Sequence, residues 1–331
     1  MSRPDVPKTA FIFPGQGSQY VGMGADLYEA YPEARECYEI ADEILGFSLT
    51  AVMFGEGVEG ERAEAALRRT EITQPALFTH SMAVMKIFGD RFCPDMVAGH
   101  SVGEYSALAA AGALRFEDGL RLVRLRGELM ATAGDRRPGA MAAIIGLDDE
   151  VIDKLCEAAS VGGRVVQSAN YNSPGQVVVS GDIPAVERAI LLGKEAGARR
   201  ALLLPVAAAF HSPLMDHARE GLADAIGNVE IGPPGCPVYL NVTARPTLDP
   251  VEIRRRLIEQ LLSPVRWAQT IRQMRLDGAE KFVEVGAGKV LAGLTKRTIG
   301  RDVDIVTAGT VTGIREFSDT LKSHGPVNRP S

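Results

Sequence analysis

Cysteine, histidine and long apolar runs are scarce in this chain of 331 residues, and each scarcity excludes something. The four cysteines (Cys37, Cys93, Cys156 and Cys236) are scattered, with no C-x-x-C pair and no metal-ligand spacing. They read as thiols of a reducing cytosol, and no metal site is expected. The longest apolar run, Ala201 to Phe210, is broken by Pro205 and is far too short to span a bilayer. Met1 to Ala10 is polar and proline-punctuated and lacks the apolar centre of a signal peptide. Positive charge is not in excess either, since the net charge is −6, which argues against a nucleic-acid partner. A soluble, cytoplasmic protein with no membrane partner is expected. What remains is ordinary for a globular protein: 46% hydrophobic and 24% charged residues. The length suits one large domain with a smaller insert, or two domains.

Strands and helices alternate along the chain. Ala10 to Phe13 reads as a strand stopped by Pro14 and Gly15, and Pro75 to Phe88 as a helix with apolar residues three and four apart. A second strand and helix flank Ser101, and a long helix follows from about Phe116 to Ala131. Such alternation predicts a mostly parallel sheet covered on both faces. Residues 138 to 205 depart from it. Met141–Ile145, Val165–Ser168, Gln176–Val179 and Ala201–Leu204 read as strands, with helices at Asp149–Ala158 and Ile183–Ala196. That order, βαββαβ, is ferredoxin-like. The expected architecture is α/β: an α/β-hydrolase-like large domain (1–137 and 206–331) with an inserted ferredoxin-like subdomain (138–205). A cleft between the two is the natural place for a substrate.

Gly99-His100-Ser101-Val102-Gly103 spells G-x-S-x-G between the strand Asp95–Ala98 and the helix-forming run Glu104–Ala111. In that setting the motif is a nucleophile elbow, which thrusts Ser101 outward beside amide N–H groups at a helix N-terminus. A serine hydroxyl needs a base at neutral pH. Five histidines are available. His80 lies in an apolar helix and reads as structural, His100 as a packing residue, His217 as solvated, and His324 sits in a polar tail. His211 follows an apolar run and enters a helix, where catalytic groups collect. It is the candidate base.

Six motifs occur in order: Phe13-Pro14-Gly15-Gln16-Gly17-Ser18-Gln19, the Gly-His-Ser-Val-Gly-Glu elbow, Arg124-Leu125-Arg126-Gly127, Asn172-Ser173-Pro174-Gly175-Gln176, Phe210-His211-Ser212, and Glu284-Val285-Gly286 with Lys289-Val290-Leu291. From about Phe11 to Thr298 the chain resembles the malonyl-CoA:acyl-carrier-protein transacylases, the acyltransferase family of fatty-acid and polyketide synthesis. The resemblance implies that Ser101 is acylated and that His211 is its general base. It implies further that the Gln260 backbone carbonyl orients the histidine, and that the N–H groups of Gln16 and Val102 form the oxyanion hole. No residue after about Gly309 is covered by it.

The same resemblance bears on substrates. Arg126 is expected to grip the free carboxylate of a malonyl group, because a planar guanidinium bonds a carboxylate twice. Phe210 accompanies malonyl rather than methylmalonyl in the polyketide branch, and Asn170 and Asn172 help hold the thioester arm. Carrier proteins of this system are acidic, so docking on this net-negative chain calls for a local basic patch. Lys289 and Arg297 are the chosen candidates, with Lys296 and the Arg254-Arg255-Arg256 run also considered. The implied reaction is ping-pong transfer from malonyl-CoA to acyl carrier protein, with no cofactor. Ketosynthases or polyketide synthase modules are further candidate partners, and a monomer is expected. A serine thioesterase or esterase, an acyltransferase for another extender such as methylmalonyl, and a non-catalytic docking subunit are the rival readings.

Overall fold

A computed structural model describes residues 8–57, 60–91, 93–206 and 208–322. Its strands are β1 (Lys8–Phe13), β2 (Met96–Gly99), β3 (Gly139–Ile145), β4 (Val166–Ser173), β5 (Gln176–Asp182), β6 (Arg200–Leu203), β7 (Val238–Tyr239), β8 (Pro246–Thr247), β9 (Ala279–Val285) and β10 (Asp304–Ala308). The first sheet runs β10-β9-β1-β2-β7-β8 and is parallel except where β7 meets β8. Its central strands are apolar on both faces, as buried parallel strands must be. Phe11, Phe13, Val97, Val283 and Val285 feed one core, while Ala10, Ile12, Met96, Ala98 and Phe282 feed the other.

The second sheet, β4-β5-β3-β6, is antiparallel throughout and has the expected ferredoxin-like order. The helices Asp149–Ala159 and Ile183–Glu195 cover one face through Ala142, Ile144, Val177 and Val179. Met141, Ala169 and Val178 occupy the opposite face, where Phe210 packs against them. Strand β4 is stitched to the segment between the helices Pro250–Glu259 and Trp267–Leu276. Tyr171 N–H donates to the Val265 carbonyl at 2.9 Å, and Val265 N–H donates to the Ala169 carbonyl at 2.8 Å.

Strand β4 is longer than its sequence suggests: expected over Val165–Ser168, it runs on through Ser173. A bulge explains how the strand works. Pairing passes from Ser168↔Val179 directly to Asn170↔Val178, so Ala169 is an extra residue. Ser168 and Tyr171 consequently face the same helix layer, both donating to Asp153 Oδ1, at 2.6 and 2.8 Å. Asn172 is turned the other way, toward the first sheet, where it meets His100.

One helix begins earlier than expected. It spans Thr70–Phe88 with Pro75 inside it rather than at its start. Pro75 has no N–H for the Glu71 carbonyl one turn back. Arg124 Nη1 donates to that carbonyl instead, at 2.7 Å. The helix after the elbow, Gly103–Ala110, and the long helix, Phe116–Arg136, match expectation, the second running five residues further. Past Gly309, the helix Val311–Lys322 completes the fold, burying Ile314 and Phe317 against the first sheet's core. No helix among the described residues is long and apolar enough to cross a membrane.

Candidate active site

The site forms where the loops after β1 and β2 leave the carboxyl ends of adjacent parallel strands, the usual ligand position in such sheets. Phe13 pairs with Gly99, and His100 N–H donates to the Phe13 carbonyl at 2.9 Å. Ser101 then takes a left-handed backbone conformation, φ 52°, at the head of the helix Gly103–Ala110. The elbow is tight enough that both glycines are obligatory. A Cβ on Gly99 would lie 1.9 Å from the Gly103 carbonyl, and one on Gly103 would lie 2.3 Å from the Phe13 oxygen.

Ser101 Oγ and His211 Nε2 are 2.7 Å apart. His211 Nδ1 lies 3.0 Å from the Gln260 carbonyl and 3.2 Å from that of Ser263. Carbonyl oxygens only accept, so Nδ1 carries the proton and Nε2 accepts from the serine hydroxyl. Burial first, and the Arg126 charge second, push the His211 imidazole down to about 3, so it is neutral and able to take a proton at ordinary pH. No carboxylate contacts His211 among its hydrogen-bond partners; two backbone carbonyls orient it.

Arg126 is 1% exposed, on the inner face of the Phe116–Arg136 helix. Its Nη1 donates to Gln74 Oε1 at 2.7 Å, and its Nη2 donates to Ser101 Oγ at 3.1 Å and Gln260 Oε1 at 3.0 Å. Nε has no partner, and the guanidinium sits 5.8 Å above the Tyr105 ring. No carboxylate forms an ion pair with it among the described residues. A buried cation supplied with neutral partners, one of them the nucleophile, is equipped to receive an anion.

The backbone N–H groups of Gln16 and Val102 find no acceptor among the described residues. Ser101 N–H is unavailable, because it donates to Asn241 Oδ1 at 2.7 Å. The Gln16 side chain is tied back by Thr70, whose hydroxyl donates to Gln16 Oε1 at 3.1 Å and accepts from Gln74 at 3.0 Å. Asn170 is buried, and Asn172 Oδ1 lies 2.9 Å from His100 Nε2. Phe210 is half-buried and bridges the core of the first sheet and the inner face of the second.

The other histidines fall as expected where they are described. His80 is fully buried, 2.7 Å from the Tyr38 hydroxyl, and His217 is exposed. His324 lies outside the described residues. Lys289 and Arg297 are exposed at opposite ends of the helix Val290–Ile299, with Lys296 beside Arg297. The start of this helix abuts the loop after β1, where a Cβ on Gly288 would come within 3.0 Å of the Ser18 carbonyl. The three arginines 254 to 256 are engaged elsewhere. Arg254 holds the carbonyls of Ile226 and Val229, while Arg255 and Arg256 pair with Glu252 and Glu259.

Sequence reasoning passed over three residues here. Asn241 clamps the elbow, donating to the Gly99 carbonyl at 2.6 Å while accepting from Ser101. Its signal is positional, a polar residue just past the buried strand β7. Glu104 is buried and accepts from Asn241 N–H at 2.8 Å. Burial raises its carboxyl to about 7, against the pull of Asn241, Gln260 and Arg126. Gln74 joins Arg126 to Thr70 and carries no local signal at all.

Residues 10–323 match the family described as acyl transferase domain, beyond the point where the sequence motifs end. The malonyl CoA-acyl carrier protein transacylase of Haemophilus influenzae is 45% identical over 317 residues, covering 95% of this chain and 99% of that protein. Among solved structures, an acyl carrier protein S-malonyltransferase from Vibrio cholerae superposes with a TM-score of 0.87 at 45% identity, covering 94% of this chain and 99% of that one. A malonyl-transacylase in complex with a holo type II polyketide-synthase acyl-carrier protein gives 0.88 at 40% identity, over 95% and 99% of the two chains. Sequence pattern and three-dimensional likeness therefore agree across nearly the whole length, and the chain belongs to the acyl transferase domain family.

Proposed function

We propose that the protein transfers a malonyl group from malonyl-CoA to the phosphopantetheine thiol of an acyl carrier protein, through a malonyl ester on Ser101. The observation that carries this reading is Arg126, a buried guanidinium 3.1 Å from the nucleophilic oxygen and without a carboxylate partner among the described residues. A malonyl thioester presents a carboxylate two bonds from the carbonyl under attack. Binding it at Arg126 sets that carbonyl over Ser101 Oγ.

His211 Nε2 takes the Ser101 proton as Oγ attacks, and the Gln16 and Val102 N–H groups receive the oxyanion. CoA leaves as the thiol, with the proton returned from His211. The carrier thiol then attacks the ester, with His211 again as the base and Ser101 Oγ as the leaving group. Throughout, the Gln260 and Ser263 carbonyls stabilise the imidazolium through Nδ1–H. No step calls on a metal or redox cofactor. Asn170 and Asn172 line the path of the pantetheine arm, and Phe210 narrows the space beside the malonyl α-carbon, favouring malonyl over methylmalonyl. Lys289 and Arg297 serve as docking cations for the acidic carrier. In this reading residues 1–137 and 206–331 form the large domain and 138–205 the small one. The protein works as a cytoplasmic monomer feeding ketosynthases or polyketide synthase modules.

Intact-mass measurement tests the proposal. The protein is incubated with malonyl-CoA, then with holo carrier protein, with Ser101→Ala as control. A malonyl adduct that moves to the carrier, and is absent from the variant, is the expected result. Release of free malonate without carrier loading would make the protein a thioesterase, and no adduct at all would reject catalysis.

A further inference from the structure

His211 and the carbonyls that orient it lie on two separate loops, and one residue of the second sheet holds both. Gln167, on β4, donates from Nε2 to the His211 carbonyl at 2.8 Å and to the Leu262 carbonyl at 3.1 Å. Leu262 stands between Gln260 and Ser263, whose carbonyls receive the His211 Nδ1 proton. His211 itself has φ 56°, a left-handed conformation that is strained for a non-glycine residue and persists only where its surroundings enforce it. The described residues between β6 and the Pro213–Met215 turn, His211 among them, form no ladder of their own. Gln167 pairs with Ser180 at the ordinary register just before the bulge, and its neighbour Val166 packs into the helix-side core. Its side chain therefore points to the opposite face, toward the first sheet.

We propose that Gln167 is a positioning residue. Its carboxamide locks the His211 loop to the 260–263 loop, sets Nε2 against Ser101, and makes the small sheet part of the general base's support. The inference rests on the reading of Ser101 and His211 as the acylating pair. It also gives β4 a single purpose, since Asn172, five residues on, fixes His100 beside the nucleophile.

The test measures malonyl-Ser101 formation by rapid quench and mass for wild type, Gln167→Ala and Gln167→Glu across pH, together with KM for malonyl-CoA. A misplaced base costs about 10- to 100-fold in the acylation rate of Gln167→Ala, while KM, set by Arg126 and the cleft, stays within about twofold. Gln167→Glu keeps the shape but, once ionised above about pH 4.3, only accepts and repels both carbonyls. Its rate therefore falls with rising pH along a limb that neither wild type nor Gln167→Ala shows. Should Gln167→Ala unfold, that limb decides alone. Wild-type-like acylation in Gln167→Ala, equal losses in rate and KM, or a Gln167→Glu profile without the extra limb overturns the inference. Absence of an adduct on wild type overturns it together with the proposed function.

Discussion

Replacing Arg126 by alanine separates substrate choice from catalytic power. The guanidinium is buried, and a malonyl carboxylate bound to it forms a buried, bidentate, charge-assisted pair. Removing one partner of such a pair costs about 3–5 kcal/mol, which at about 1.4 kcal/mol per tenfold is a loss of about 10²- to 10⁴-fold in kcat/KM for malonyl-CoA. Acetyl-CoA has no carboxylate to lose. In the wild type it leaves a buried cation facing a methyl group, and the substitution removes that penalty. Arg126 also holds Gln74 and Gln260, so the variant disturbs the neighbourhood of His211 as well. That damage falls on both substrates alike and cancels in their ratio. The assay is therefore competition: equimolar malonyl-CoA and acetyl-CoA, with both adducts on Ser101 quantified by mass. Arg126→Met, which retains the apolar stem, controls for lost packing. A malonyl-to-acetyl ratio unchanged in both variants would refute the assignment of Arg126 to the carboxylate.

Other consequences are open to direct measurement. Because His211 is held down to about 3, its neutral form persists far below the usual imidazole range; kcat/KM for malonyl-CoA should show no acid limb near 6.5, and such a limb, persisting in a His217→Ala control, would contradict the burial argument. Asn241→Ala strips the hydrogen bonds to Ser101 N–H and the Gly99 carbonyl; Ser101 acylation should fall about 10- to 100-fold, read by the same quench assay. Arg124→Ala exposes the Glu71 carbonyl opposite Pro75, with an expected cost of about 1–3 kcal/mol; chemical denaturation would show it as a lower midpoint at unchanged slope.

Much of this fold is written locally. The elbow, both βαβ halves of the inserted unit and the alternation of the first sheet all follow from apolar periodicity and glycine placement. What escaped is what depends on distant partners. Pro75 reads as a helix start unless one knows that Arg124, 53 positions beyond Glu71, supplies the missing donor to the Glu71 carbonyl. Gln74, Asn241 and Gln167 act through hydrogen bonds that reach across 44 to 142 positions, and a lone amide has no periodic signature. The basic run 254–256 looks like a docking patch until its carbonyl and carboxylate partners are seen. Ser101 and His211 were legible for the opposite reason, since each announces its chemistry by residue type and by local setting, Ser101 just past a strand's end and His211 at the approach to a helix.

The extra residue in β4 sets the course of that strand rather than the faces of its neighbours. Ser168↔Val179 and Asn170↔Val178 are consecutive rungs, with Ala169 outside the ladder. Loss of Ala169 would join those rungs directly, and Tyr171 and Asn172 would keep their present sides, toward Asp153 and His100. What would go is the local bend and added twist of the bulge, together with the carbonyl that accepts from Val265 N–H at 2.8 Å. A single in-frame codon deletion there would keep every side chain on its face yet loosen the strand from the segment that follows Gln260, giving a folded protein whose strand is misaimed at the nucleophile.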